Sequence, residues 1–241
     1  MEGEKRPAWC VELDRVEFGR ALELQRAVWE LRRNNEIPDT LILLEHPPVI
    51  TLGRAARREN LLVSESELKR RGCGLYRTDR GGDITFHGPG QLVGYPIFSL
   101  REGLAGVRHF VEALEETLIQ ALAQLGVRAQ KRPGYVGVWV DERKIASIGI
   151  AVRHGVSLHG FALNVTVDLS CFQLVRPCGL AGVVMTSVQQ EGGRTVNVRE
   201  AVRRAFEVVF GISFQSNLPL SLASLTKGLS TATIASALAR E

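Results

Sequence analysis

The sequence predicts a mixed α/β (α+β) fold, in which a mixed, mostly antiparallel sheet is flanked by helices. Short apolar runs rich in β-formers recur along the chain and are separated by glycine-containing turns. Amphipathic helical patterns interrupt these runs at wide intervals. The resulting order of strands, helix, many strands and helix lacks the regular βαβ alternation of a doubly wound sheet, so a mixed or antiparallel sheet is favoured.

The first hundred residues predict two helices and most of the short strands. Apolar side chains at helical spacing predict an amphipathic helix over 17–34. Ser64 and Glu67 form a capping-box pattern at the start of a short helix. The segment 46–48, His-Pro-Pro, interrupts a buried strand, because proline lacks the N–H that a sheet ladder needs. The predicted strands are 9–13, 41–45, 49–52, 75–78, 84–86 and 92–98.

The remaining chain predicts a long helix, a meander and a last helix. The helix covers 104–125 and ends at Gly126. The meander has strands 135–140, 144–152 and 156–165, with turns at 141–142 and 154–155. Asn197 and Glu200 predict the cap of a helix that runs to about residue 209. We therefore expect one domain over 1–215 and a peripheral, serine-rich tail over 216–241.

Composition excludes several classes of protein. The chain has 241 residues, 45% of them hydrophobic, which is enough for a sizeable core. We expect no membrane association and a cytoplasmic location, because no apolar run approaches the roughly 20 residues of a membrane span and the charged start is not a secretory signal. Four cysteines and five histidines show no metal-ligand spacing, so no metal site is expected.

The charge pattern indicates an acidic partner. The formal net charge is +4, and the positive residues form three short clusters, at 54–58, 69–71 and 128–132. Such clusters fit a nucleic acid or an acidic carrier protein, although each alone is also typical of solvated surface. Aromatic residues make up only 6% and are not interleaved with the basic clusters, so we expect no nucleic-acid partner.

Three segments carry candidate chemistry. Cys178 stands between Pro177 and Gly179, a setting that suits a nucleophile beside a ligand but also suits a packed, inert thiol. Lys144 enters an apolar strand beside small residues that leave room for a ligand. The segment 80–91 has four glycines, which predict either a hairpin or close approach of backbone to a ligand, and it matches neither a P-loop nor a dinucleotide fingerprint.

Taken together, these segments resemble the lipoyl(octanoyl) transferase family. The resemblance covers roughly residues 10–210, with its motifs in the expected order. One departure is Asp83, where a glutamine or a similar neutral residue is expected. The motifs are EHPPVITLGR at 45–54, RGGDITFHGPGQ at 80–91, KIASIGI at 144–150, HGFALNV at 159–165, RPCGL at 176–180 and MTS at 185–187.

The resemblance implies the catalytic fold of biotin and lipoate protein ligases and a cysteine–lysine acyltransferase. The implied activity is transfer of an octanoyl (or lipoyl) group from acyl carrier protein to a specific lysine of a lipoyl domain, the first step of endogenous protein lipoylation. Cys178 is then the acyl-accepting nucleophile, and Lys144 lowers the pKa of its thiol. The implied substrate-binding residues are Arg80, Gly81, Gly82, Asp83, Ile84, Thr85, Phe86, His87, Ser147, Ile148, Gly149, Gly160, Phe161 and Ala162.

The implied acceptors are the lipoyl domains of 2-oxoacid dehydrogenase complexes and the glycine cleavage H protein. We expect no cofactor and no ATP requirement, because conversion of a thioester to an amide is downhill. One alternative is an ATP-dependent lipoate or biotin protein ligase on the same fold, which needs no nucleophilic cysteine. A second alternative is a non-catalytic basic module, which would explain the charge but not the pairing of Lys144 with Cys178.

Overall fold

The computed structural model describes residues 5–100, 103–176, 183–216 and 224–226, with the backbone alone for 103–105. Cys178, the predicted nucleophile, lies outside the described residues. No described helix is long and apolar enough to cross a membrane. The α-helices of the described ranges are α1 Phe18–Arg33, α2 Glu65–Arg70, α3 Gly103–Gln124 and α4 Val198–Val209, and residues 224–226 are also helical.

Two sheets form the centre of the described chain. In the larger sheet the strands follow the order β12-β1-β2-β6-β10-β9-β8-β7, with β11 paired beside β9, and in the smaller sheet the order is β4-β3-β5. The strand bounds are β1 Arg6–Arg15, β2 Asp39–Glu45, β3 Val49–Leu52, β4 Gly74–Arg77, β5 Ile84–His87, β6 Gln91–Ile97, β7 Gln130–Arg132, β8 Tyr135–Val140, β9 Arg143–Arg153, β10 Val156–Asn164, β11 Val184–Met185 and β12 Ile212–Phe214.

Strand directions confirm the predicted fold class. The run from β2 through β6, β10, β9 and β8 to β7 is antiparallel throughout. Parallel pairs join β1 to β2 and to β12, and β11 to β9. The sheet is therefore mixed and mostly antiparallel, as the order of elements along the sequence predicts.

Helices cover both faces of the larger sheet. Leu118 of α3 and Phe206 of α4 are fully buried in the apolar cluster on one face. Leu24 and Val28 of α1 belong to the cluster on the opposite face. Full burial of such a side chain contributes about 1.5–3 kcal/mol, so these two clusters fix the layered arrangement. The smaller sheet packs with α2 around a third cluster.

Most predicted elements are confirmed, and one predicted cap is wrong. Ser64 Oγ accepts a hydrogen bond from the Glu67 N–H at 3.2 Å, as the capping box requires of its first residue. Asn197 instead has φ 57° and its side chain makes no cap hydrogen bond to α4. An N-cap side chain normally bonds the first turn from an extended backbone, and the left-handed conformation of Asn197 does not provide that geometry.

The described C-terminal part of the chain has two features that the sequence does not predict. Residues 212–214 form β12 and add a parallel strand beside β1, although the sequence predicts none there. Within the predicted tail, Leu225 packs against the apolar cluster of α1, and Thr226 is buried. This turn of the tail therefore contacts the core.

Candidate active site

A cavity lies where the smaller sheet meets the α1-covered face of the larger sheet. Its volume is about 580 Å³, including the part that is open to solvent. Small-molecule sites are concave and mostly apolar with a few placed polar groups, so the lining of this cavity has the character of a ligand site. Small side chains widen it, because Ser147 pairs with Ala162 and Gly149 pairs with Gly160 across β9 and β10.

The structure brings most of the predicted site residues to this cavity. Gly81 and Phe86 do not line it: Gly81 donates its N–H to the Ile150 carbonyl at 2.8 Å, and Phe86 packs edge-on against Phe172 inside the third cluster. The predicted residues that line it are Arg80, Gly82, Asp83, Ile84, Thr85, His87, Lys144, Ser147, Ile148, Gly149, Gly160, Phe161 and Ala162.

Lys144 is buried at the start of β9, with only 3% of its surface exposed. Its Nζ donates to the Val136 carbonyl at 2.9 Å and lies 5.3 Å from the centre of the Trp139 ring. The Lys144 side chain fits here because residue 137 is glycine, since a Cβ at that position would lie 2.5 Å from Lys144 Cε. The Gly137 N–H is in turn held by Glu115 Oε1 of α3 at 2.9 Å. The ammonium is therefore kept at the cavity wall by neighbours on β8.

The described chain on both sides of residues 177–182 is anchored near the cavity. Before this segment, the Arg176 N–H donates to the Asn60 carbonyl at 2.7 Å. After it, Met185 of β11 pairs with Lys144, and the Thr186 N–H donates to the Lys144 carbonyl at 2.9 Å. The predicted catalytic lysine is thus paired with β11, the first strand that follows residues 177–182 along the chain.

Asp83, which departs from the family pattern, has a local role. Its Oδ2 accepts a hydrogen bond from Asn60 Nδ2 at 2.5 Å, and its Oδ1 accepts from the Arg57 N–H at 3.2 Å. The same Asn60 binds Arg176 through its carbonyl oxygen. The carboxylate therefore stabilises the loop that anchors the N-terminal side of the Cys178 segment.

Arg80 connects the glycine-rich segment to the smaller sheet. Its Nη2 donates to the Thr51 carbonyl at 2.7 Å, and its Nε donates to Thr51 Oγ1 at 3.2 Å. Gly149 allows the segment to approach β9, because a Cβ there would lie 2.9 Å from the Gly81 carbonyl oxygen. Glycine at this position is thus a packing requirement of the cavity wall.

Two buried histidines near the cavity are neutral. Burial lowers the pKa of His46 to about 4 and that of His87 to about 3. His46 Nδ1 donates to the Val16 carbonyl at 2.6 Å, and its Nε2 accepts from the Tyr95 hydroxyl at 2.6 Å. His87 Nδ1 donates to Gln91 Oε1 at 2.7 Å. These bonds fix one neutral tautomer of each imidazole.

These histidines predict loss of stability in mild acid. Both folded-state pKa values lie below the ordinary 6.5, so the unfolded chain binds protons first as the pH falls. Between pH 7 and pH 5 we expect the free energy of unfolding to fall by about 1–2 kcal/mol for each histidine. Urea unfolding at both pH values measures this loss, and His87→Gln reduces it. An identical loss in the variant contradicts the assignment.

The thiols of the described residues are unsuited to nucleophilic attack. Burial is the main cause of a raised pKa for all three thiols. The pKa of Cys73 rises to about 11, and the pKa values of Cys10 and Cys171 rise above the ordinary value. A thiol is reactive as the thiolate, so these three side chains are less suited to nucleophilic attack than an ordinary thiol. Within the described ranges, no three His, Cys, Asp or Glu side chains are grouped so that they could hold a metal ion.

Several cavity residues escaped the sequence prediction. They come from α1, β3, β6 and β10, whose contributions depend on the tertiary fold, and only Thr51 and His159 stand inside motifs that the sequence singles out. The role of Gly137 could have been predicted, since an isolated glycine inside a strand often marks a bulge or a close approach of another group. The additional lining residues are Phe18, Thr51, Val93, Tyr95 and His159.

Comparison with known proteins first defines the class of this fold and site. Residues 18–210 match the family model of the lipoyl protein ligase A/B catalytic domain. Among solved structures, lipoate-protein ligase A bound with ATP is similar over 92% of this chain and 93% of that chain, with a TM-score of 0.75 and 20% identity. A chain of a Thermoplasma acidophilum lipoylation system, a bipartite ligase with its E2 lipoyl domain, has a TM-score of 0.71 and 22% identity, covering 93% of this chain and 91% of that one.

Relatives in sequence identify one family within this class of catalytic domain. An octanoyltransferase from Alkaliphilus metalliredigens is 49% identical over 192 residues, covering 79% of this chain and 88% of that protein. One from Solibacter usitatus is 45% identical over 88% of this chain and 97% of its own length. One from Myxococcus xanthus is 46% identical over 82% of this chain, and the match spans 58% of that longer protein. The chain belongs to the lipoyl(octanoyl) transferase family, as the sequence motifs predict.

Proposed function

We propose that this protein transfers an octanoyl (or lipoyl) group from acyl carrier protein to a lysine of a lipoyl domain through a thioester on Cys178. The observation that carries the proposal is the position of Lys144. Its buried ammonium lines the mostly apolar cavity, and β11, which follows the Cys178 segment along the chain, pairs with it. The names of the octanoyltransferase relatives support the same chemistry.

The first half of the reaction is thioester exchange. The Cys178 thiolate attacks the carbonyl carbon of the octanoyl thioester, and the carrier thiolate leaves and takes up a proton from the Lys144 ammonium, which leaves Lys144 as a neutral amine for the second half. The ammonium of Lys144 favours the thiolate, because a neighbouring positive charge stabilises the charged form of a thiol. One thioester replaces another, so this step needs no input of energy.

The second half forms the amide. The amine of the acceptor lysine attacks the octanoyl–Cys178 carbonyl, its proton passes to Lys144, and the Cys178 thiolate is expelled. Lysine suits this role because its proton affinity responds to burial and to neighbouring charge. An amide is more stable than a thioester, so the transfer proceeds without ATP.

The cavity supplies the binding site for the acyl chain. Its floor of small residues on β9 and β10 and its apolar lining by Ile84, Ile148 and Phe161 suit a hydrocarbon chain. Each buried methylene contributes about 0.8 kcal/mol before ordering costs, so an eight-carbon chain is held by apolar burial alone. The acceptors we propose are the lipoyl domains of 2-oxoacid dehydrogenase complexes and the glycine cleavage H protein.

One basic cluster is placed to receive an acidic carrier protein. Arg54, Arg57 and Arg58 are exposed on the loop that follows β3. The Arg54 N–H bonds the Arg80 carbonyl at 3.0 Å, and the Arg57 N–H bonds Asp83, so the cluster adjoins the cavity wall. Complementary charge at this position would steer the carrier toward the cavity.

The decisive experiment uses octanoyl-acyl carrier protein without ATP. We expect intact-mass spectrometry to show an octanoyl adduct of this protein, and peptide mapping to place it on Cys178. Addition of an apo-lipoyl domain then discharges the adduct onto the acceptor lysine. If octanoate and ATP are required and no adduct forms, the protein is a ligase and the proposal is wrong.

A further inference from the structure

His159 occupies the end of the cavity that lies away from Lys144. It pairs across β10 and β9 with Ile150, which follows Lys144 by six residues, or about 20 Å along a strand. On β10 the cavity lining runs from His159 to Ala162, and the next residue, Leu158, belongs to the cluster packed by α1. His159 is therefore the point on this strand where the cavity gives way to packed core.

The fold holds His159 in a strained position. Its φ is 60°, a left-handed conformation that costs free energy for any residue with a side chain, yet only 3% of its surface is exposed. Its N–H donates to Gln25 Oε1 at 3.0 Å, and its Nε2 donates to Asp79 Oδ1 at 2.8 Å. Asp79 is also bound on its solvent side by Arg153 at 2.8 Å.

The polar side chains of His159 and Asp79 at this end of the cavity would not favour contact with an apolar acyl chain. We propose that His159, held by Asp79, is a specificity-determining residue that closes the cavity and limits the length of the acyl chain. The inference rests on the proposed function. A chain that ends before the imidazole is buried among apolar and small residues. A longer chain must displace the buried imidazole from its hydrogen bond to Asp79, whose side chain is 32% exposed.

His159→Gly tests the inference with little risk to the fold, because glycine adopts a φ of 60° without strain. We measure kcat/KM with octanoyl- and decanoyl-acyl carrier protein. Removal of the ring makes room for the two additional methylenes of the decanoyl chain. Each methylene raises kcat/KM by about fourfold when it is fully buried. We expect the decanoyl-to-octanoyl ratio to rise at least about tenfold over wild type.

Two further variants separate specificity from structure. Asn tolerates a left-handed backbone and carries a side-chain amide, so His159→Asn should give an intermediate ratio. Arg153→Gln removes only the solvent-side partner of Asp79 and should keep the wild-type ratio. If His159→Gly lowers both kcat/KM values equally, or leaves the ratio unchanged, His159 does not limit chain length.

Fatty-acid titration distinguishes this inference from the proposed function. Octanoate and decanoate are titrated into wild type and His159→Gly by calorimetry, which requires no transfer chemistry. A wild type that binds octanoate but forms no octanoyl adduct contradicts the proposed function alone, and the preference of the variant for decanoate still supports the role of His159. A wild type that binds neither acid contradicts the inference.

Discussion

We expect Cys178→Ser to abolish the proposed acyl-enzyme and to reduce octanoyl transfer by roughly 10³-fold or more, which corresponds to about 4 kcal/mol of transition-state stabilisation. A serine hydroxyl stays protonated at neutral pH, and a neighbouring ammonium does not supply the general base that it would need. The measurement is the rate of octanoyl transfer to an apo-lipoyl domain, together with the intact mass of the enzyme after incubation with octanoyl-acyl carrier protein.

Cys171→Ser is the matched control for this variant. Cys171 precedes Cys178 by seven residues, and burial raises the pKa of its thiol. We expect wild-type transfer and a full octanoyl adduct from this variant. If Cys178→Ser retains an adduct, or if Cys171→Ser loses it, the nucleophile is assigned to the wrong cysteine.

The layered fold could be predicted because its long elements carry their own periodicity. The helical pattern over 104–125 corresponds to α3, and the alternating strands between 135 and 165 correspond to β8, β9 and β10. These elements are long enough for one apolar face to be visible in the sequence. The short strands β7, β11 and β12 have only two or three residues each, and they exist because a longer neighbour offers hydrogen-bonding groups.

The candidate site was predictable where one motif supplies several wall residues. The wall residues between Arg80 and His87 and from Ser147 to Gly149 follow directly from their segments, although Gly81 and Phe86 of the first segment do not line the cavity. Phe18 and Tyr95 could not be found in this way. Each is one apolar residue of a helix or strand, and only the tertiary fold brings that residue to the cavity.

The position of Lys144 could be predicted from the sequence, but the environment of its amine could not. Its place beside small residues at the mouth of a strand is visible in the sequence, but its environment depends on Gly137 and on the Glu115 carboxylate that holds the Gly137 N–H. Because β8 and β9 pair with a bulge at this point, the lysine stem passes over Gly137 and its amine stays inside the protein. A pattern along one strand does not contain that information.

Lys144→Met is expected to keep the fold and lose most of the activity. Methionine preserves an unbranched stem beside Gly137 and Trp139 but removes the ammonium and the proton acceptor that we propose for the two half-reactions. Loss of a general acid–base group typically costs roughly 10²–10⁴-fold in rate. The adduct on Cys178 should therefore form slowly, and its discharge to an apo-lipoyl domain should be slower still.

The pH dependence of Cys178 alkylation separates the charge of Lys144 from a structural effect. An ammonium lowers the pKa of a neighbouring thiol, so in Lys144→Met the midpoint of iodoacetamide labelling should move upward by about one pH unit or more. Peptide mass spectrometry reports Cys178 alone among the four cysteines. Lys131→Met, which changes an exposed lysine on β7, should leave the midpoint unchanged. A midpoint that is the same in wild type and Lys144→Met would show that the amine does not activate the thiol.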